Sequence, residues 1–174
     1  LVASSGQITA PSEPNPDITY DYVRDFAAIG MVQAGPYILA SSARSPVAKL
    51  NLGELFAYSR ERPGKVTVAY SGVATRLALE LMNTMVGIKV LPVPYKGAGP
   101  AVTETIGGQV DTTVTQLIGA IGALRDNRLR GLAVTTMRRS SVTPNIPTFD
   151  ESGIKGFEAA TFVGVLAPAA TPPA

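Results

Sequence analysis

Tyr95 and Lys96 run directly into Gly97, Ala98, Gly99 and Pro100, so that a phenol and a cation lead into a glycine-rich turn closed by proline. Three chemistries use such a stretch: a backbone cradle for phosphate, a lysine acting over a pocket, or a backbone corner that receives some other anion. A phosphate-binding P-loop needs its lysine after the glycines and a Ser or Thr after that, whereas Lys96 precedes them. A dinucleotide fingerprint needs a third glycine, and Val102 holds that position. Pro100 suits the first turn of a helix. Gly97 and Gly99 then shape a helix entry whose amides face a pocket, through dihedrals that glycine makes possible. The alternative is that these glycines only let a strand and a helix pack closely.

Composition narrows the chemistry further. The 174 residues contain no histidine and no cysteine. The commonest general base and the commonest transition-metal ligand are therefore missing, along with every Ser-His-Asp or Cys-His arrangement, every disulfide and every thiolate metal site. Enzyme chemistry would have to rest on lysine, tyrosine or paired carboxylates, and no close carboxylate pair stands in a site-like loop. The sequence reading is a protein with no catalytic residues, no metal and no cofactor. Asp111, after Gly107, Gly108, Gln109 and Val110, would be a pocket acid in an enzyme; a cap on the turn that opens a strand is the preferred role. The formal charge is +2 and the basic residues are scattered, as at Arg138 and Arg139, so nucleic acid is not an expected partner. With 45% hydrophobic residues the chain can bury a core, and no apolar run reaches the roughly 18 residues of a membrane span.

The elements that must position these residues alternate. Apolar, β-rich runs at 37–40, 66–70, 88–93, 110–115, 132–135 and 162–166 read as strands. Between them lie helical stripes: Leu52, Leu55 and Phe56; Leu77, Leu81 and Met85; Ala101, Val102, Thr105 and Ile106; Ile118, Ile121 and Leu124. Such alternation predicts an α/β domain with a mostly parallel sheet flanked by helices. Ligands of such sheets sit beyond the carboxyl ends of the strands, where loops enter helix N-termini. "YSGVAT", "PYKGAGP" and "TTVTQLIG" have that placement. The opening "LVASSG" reads as a short buried strand and the closing "VGVLAPAATPPA" as a strand ending in a proline-rich tail; both ends look like cuts through a larger domain.

Read in order, "YDYVRDFAAIG", "RPGKVTVAYSG", "VLPVPYKGAGPAVTETIGGQVD", "LRGLAVTTMRRS" and "IPTFDESGIKGFEAATFVGVLAPAATPP" resemble the successive signatures of the tripartite tricarboxylate transporter solute-binding receptors, the Bug family. The resemblance runs over essentially the whole chain and is most specific in the "VPYKGAGPA…GGQVD" block. It implies a type II periplasmic-binding-protein-like receptor that closes two lobes on a small carboxylate and delivers it to membrane permease subunits. It also implies one complete lobe plus part of the other: residues 1–29 as a remnant of lobe one, 30–161 as lobe two and 162–174 as a return towards lobe one. The leader, the first lobe-one strand with its glycine-rich loop and the C-terminal helices would be missing from this chain. Unpaired lobe-one segments would then favour self-association. Carried over residue by residue, the ligand loops of lobe two fall on Ser71, Gly72, Val73, Ala74, Thr75 and Arg76, on Tyr95, Lys96, Gly97 and Ala98, and on Thr115 and Gln116. The lobe-one turn falls on Ser4, Ser5 and Gly6. Arg76 stands where the family often has histidine, and Thr115 where it often has aspartate. The loop before the "LALEL" helix is about two residues short of the common form. The ligand itself is therefore not inherited from any relative. The effector domain of a LysR-type regulator, which has the same architecture, is the alternative reading.

Overall fold

The structure, a computed structural model, describes residues 2–5 and 20–172. Two compact units divide the chain: Leu1–Ala34 with Thr161–Ala174, and Gly35–Ala160. The sequence-based divisions lay instead at residues 29/30 and 161/162.

The first unit is a small antiparallel arrangement. β1 (Val2–Ser4) pairs with β7 (Ala160–Pro168) in the register Val2 to Val165 and Ser4 to Val163. β7 lies beside β2 (Phe26–Ser42), a strand of 17 residues whose opening half belongs to this unit. Sequence reading found only residues 37–40 of it, because alternation and burial are confined to its end: from Tyr37 to Ser42 every residue is buried, whereas Ala27–Val32 is exposed throughout.

The second unit is built on the end of β2, with β3 (Thr67–Tyr70), β4 (Leu91–Pro94), β5 (Thr112–Gln116) and β6 (Leu129–Val134). β3 pairs in parallel with both β4 and β5, while β2 is antiparallel to both β5 and β6. Four strands thus run one way and β2 runs against them. β4 sits at the sheet edge, where Pro92 and Pro94 remove ladder donors.

α1 (Leu52–Glu61) starts with a reciprocal cap: Asn51 Oδ1 accepts from the Glu54 amide at 2.9 Å, and the Asn51 amide donates to Glu54 Oε2 at 2.8 Å. α2 (Val73–Val86) ends on left-handed Gly87, and α3 (Ala98–Gly107) on left-handed Gly108. α4 (Leu117–Arg125) follows β5 without a break. α1 and α2 pack on one core with Leu39, Val68, Val114 and the stacked rings of Phe149 and Phe157. α3 and α4 pack on another with Ile38, Ala40 and Val134. Alternate residues of β2 enter different cores, as expected for a sheet covered on both faces.

Two helices turn a different face inward from the one their stripes predicted. α2 buries Thr75, Ala78, Leu79 and Met82 and leaves Leu77, Leu81 and Met85 exposed. Its circumference carries two apolar stripes, and the one with smaller residues fits against the sheet. α4 buries Leu117, Ala120 and Ala123, exposes Ile118 and half-buries Ile121 and Leu124. Small alanines allow the closer approach there as well.

Candidate functional site

Because β5, β3 and β4 are parallel neighbours, the loops after them emerge on one edge of the second unit, about 4.8 Å apart per strand. Each loop leads directly into a helix: Ser71 and Gly72 into α2, Tyr95, Lys96 and Gly97 into α3, Gln116 into α4. The Tyr95 amide donates to the Tyr70 carbonyl at 2.9 Å, which ties the second loop to the first. Tyr37 pairs with Gln116 and brings β2 to the same edge.

Side-chain capping separates these helices from α1. The N-caps of α2, α3 and α4 are Gly72, Gly97 and Gln116, and none makes a side-chain cap bond. First-turn amides have no helical acceptor and carry the positive end of the helix dipole. This edge therefore presents donors from three neighbouring helix starts, which suits an anion with several oxygens.

The predicted residues divide by role. Gly72 has φ 80° and ψ 171°, a region open essentially to glycine alone, and it turns the chain into α2. Thr75 is buried, and its hydroxyl serves the loop: it accepts from the Ser71 amide at 3.1 Å and donates to the Ser71 carbonyl at 2.7 Å. Val73 and Ala74 supply first-turn backbone, and Arg76 is exposed one residue after Thr75. Tyr95 is half-buried; burial, and then the charge of Glu104, push its phenol above the usual tyrosine value, so it stays a neutral donor. Lys96 is exposed.

Gly97 departs from expectation. Its φ of −174° is extended backbone open to any residue, and a Cβ there would meet only Pro100 Cδ at 3.9 Å. A Cβ on Gly99 would meet nothing within 4 Å. Neither special dihedrals nor close strand–helix packing accounts for these glycines. They leave open space over the start of α3, beside Ala98.

Thr115 is buried, and its hydroxyl has no hydrogen-bond partner among the described residues. Its neighbours Thr112 and Thr113 donate to the carbonyls of Thr67 and Ala69. Thr115 Oγ1 lies 4.0 Å from where a Cβ on Gly119 would stand, so it faces the first turn of α4. Ser5 belongs to the first unit, with Oγ 3.3 Å from Thr161 Oγ1; Ser4 is the last residue of β1, and Gly6 lies outside the described residues.

Asp111 stands at the opposite, amino edge. Its carboxylate accepts from Ser45 Oγ at 2.5 Å and from the Thr67 amide and hydroxyl at 2.9 and 2.8 Å, joining the loop after β2 to the start of β3. Sequence reading missed Thr135. Its hydroxyl accepts from the Tyr37 amide at 2.9 Å and donates to the Ala159 carbonyl at 2.5 Å, tying together the places where the chain enters and leaves the second unit. A threonine closing a β-rich run carries no sign of that role. Among the described residues no cluster of acidic side chains could hold a metal. An apolar cavity of about 550 Å³ lies in the first unit, lined by Tyr22, Phe26, Ile29, Met31, Phe162 and Leu166.

The family described as the tripartite tricarboxylate transporter family receptor matches residues 1–174. Protein BugT of Bordetella pertussis is 32% identical over 176 residues, covering 99% of this chain and 53% of that protein. Among solved structures, R. palustris Rpa4515 with adipate is 33% identical with a TM-score of 0.82, over 88% of this chain and 51% of its own. The periplasmic binding protein BugD is 32% identical with a TM-score of 0.87, over 99% and 57%. MatC from Rhodopseudomonas palustris with bound malate is 25% identical with a TM-score of 0.84, over 98% and 58%. The chain spans about half the length of the curated relatives it matches.

Proposed function

The chain belongs to the tripartite tricarboxylate transporter receptor family, and from that premise we propose that it captures a small carboxylate for a transporter of that kind. The observation that carries the site is the set of adjacent helix starts, at α2, α3 and α4, without side-chain caps on one sheet edge. Backbone amides of Gly72, Val73, Ala74, Ala98 and Gly99 receive carboxylate oxygens. Tyr95 and Gln116 add donors, and Arg76 and Lys96 supply positive charge at the rim. Thr75 acts as a positioning residue for its loop. The adipate and malate of the relatives Rpa4515 and MatC make a dicarboxylate the first class to test.

The second unit serves as lobe two, and the first unit, with Ser5 and Gly6, contributes to lobe one. Closure traps the ligand without chemistry, and the receptor works in the periplasm, as BugD does, presenting its cargo to membrane permease subunits. The LysR-type reading is not favoured, since the receptor family matches residues 1–174.

The test is a thermal-shift and calorimetric titration of the full-length receptor with adipate, malate and their neutral dimethyl esters. Saturable stabilisation by a diacid and none by its ester is expected. Binding of the esters as tightly as the acids, or of neither, would refute an amide cradle for carboxylate.

A further inference from the structure

The amino edge of the second unit, opposite the donor loops, gathers cations that are dispersed in sequence. The turns on it are joined by backbone bonds: Ser42 N–H to the Asp111 carbonyl at 2.8 Å and Gly64 N–H to the Lys89 carbonyl at 2.7 Å. Arg130 reaches the Ala48 carbonyl at 3.1 Å and brings the loop after β2 to the start of β6. Arg44, Lys49, Lys65, Lys89, Arg125 and Arg130 stand in or beside these turns, and all are exposed. None of them forms an ion pair among the described residues. The acids of the same turns are already engaged: Glu61 with Arg62 at 2.9 Å, Asp126 with Arg128 at 3.0 Å, and Asp111 with Ser45 and Thr67. From β6 through β2, β5 and β3 to β4 the edge is roughly 19 Å wide at about 4.8 Å per strand.

We propose that this edge is an electrostatic docking face for an anionic phospholipid surface. Its composition separates it from a protein interface, which needs fully buried apolar or aromatic anchors at its centre. Ile88 and Val90 on the way into β4 are buried, Leu91 is half-exposed at the margin, and Tyr58 is covered by the Arg62 guanidinium 4.4 Å above its ring. What reaches solvent is a row of long cations without ion-pair partners, beside the mutually neutralised Glu61–Arg62 and Asp126–Arg128 pairs. Such side chains gain from a diffuse array of phosphates without a fixed partner, each contributing on the order of a fivefold gain in partition. The donor loops lie on the other edge, so a receptor held this way keeps them away from the lipid. The proposal does not depend on which carboxylate the loops take.

The test is vesicle flotation of the full-length receptor at low salt, comparing phosphatidylglycerol-containing vesicles with pure phosphatidylcholine vesicles. Retention on the anionic vesicles alone is expected, with loss in 1 M salt, where the Debye length is about 3 Å. Lys65→Gln with Lys89→Gln, which removes two of these charges, should lower the partition by on the order of thirtyfold. Lys96→Gln with Arg138→Gln, an equal change of charge beyond the carboxyl ends of β4 and β6, should lower it less than about threefold. Thermal stabilisation by the diacid should be unchanged in the Lys65/Lys89 variant, which shows that it folds. Equal losses in the two double variants, no preference for anionic vesicles, or retention by a DNA duplex or by permease in neutral nanodiscs instead would overturn the proposal.

Discussion

Gly72 and Gly97 look alike in the sequence, each the last residue before a helix of the candidate site, yet their backbones differ. Gly72 at φ 80° and ψ 171° occupies a region that costs any other residue about 1–3 kcal/mol, so Gly72→Ala should lower unfolding stability by that amount. Gly97→Ala should leave stability within about 0.5 kcal/mol, because an extended φ and open space cost nothing. Its effect should appear in ligand affinity alone, and denaturant titration with calorimetry separates the two outcomes. A stability loss at 97 matching that at 72 would mean that the glycine is structural. Thr135→Val removes the acceptor of the buried Tyr37 amide and should cost about 1–3 kcal/mol, with faster hydrogen exchange at that amide. The sequence made the glycine positions legible, because the P-loop and dinucleotide patterns could be tested residue by residue. The dihedrals were not legible, since φ at Gly72 and Gly97 depends on how each strand meets its helix.

At the level of elements, periodicity located the four helices described between Leu52 and Arg125 but misjudged the inward face where two apolar stripes compete. Leu79 is fully buried, and Leu79→Ala should cost about 2–5 kcal/mol in urea unfolding. Leu77→Gln should shift stability by less than about 0.5 kcal/mol, because 53% of Leu77 is exposed. Equal costs would restore the stripe that the sequence suggested. The turn after β6 carries a pH dependence. The Gly156 amide and then Lys155 hold the Asp150 carboxyl below its usual value; the Thr148 amide and then Arg139 do the same for Glu151. Carboxyls depressed in the folded state stabilise it above their unfolded values, and that contribution disappears as pH falls through the folded ones. Protection of the amides of residues 148–156 relative to their intrinsic exchange rates should therefore fall below about pH 4, and Glu151→Gln should weaken this dependence. Unchanged protection between about pH 5 and pH 3 would show that these bonds do not hold the turn. The strands were legible where alternation meets burial, as at 37–40. They were not legible at 26–36, where β2 continues with mostly exposed residues that nothing in the local pattern marks.

For the whole molecule, composition limits the chemistry, since a chain without histidine and cysteine is left with backbone, hydroxyls and charged side chains. It speaks poorly about where the charge lies, because sheet topology brings Arg44, Lys65, Lys89 and Arg130 to one edge from far apart in sequence. The two units also differ in self-sufficiency. The second has cores on both sheet faces, whereas the first leaves Val23, Ile29, Met31 and Val32 exposed, 89% in the case of Val23. Apolar surface on that scale, next to a three-residue edge strand, favours pairing with a second copy. A polypeptide of these 174 residues is therefore expected to self-associate, and Val23→Lys with Ile29→Lys should return it towards monomer in light scattering. Its affinity should fall as well, because a two-lobed receptor divides its contacts between lobes and this chain is about half the length of its relatives. If the full-length protein binds near 1 μM, about −8 kcal/mol, losing half of that free energy leaves a dissociation constant of about 1 mM. The division is crude in one direction only: the entropy of association is charged once, so the isolated half should fare worse than half. Calorimetry on the 174-residue polypeptide with adipate decides the matter. A monomer binding at micromolar strength would mean that the helix starts of the second unit suffice for the site and that lobe one adds little.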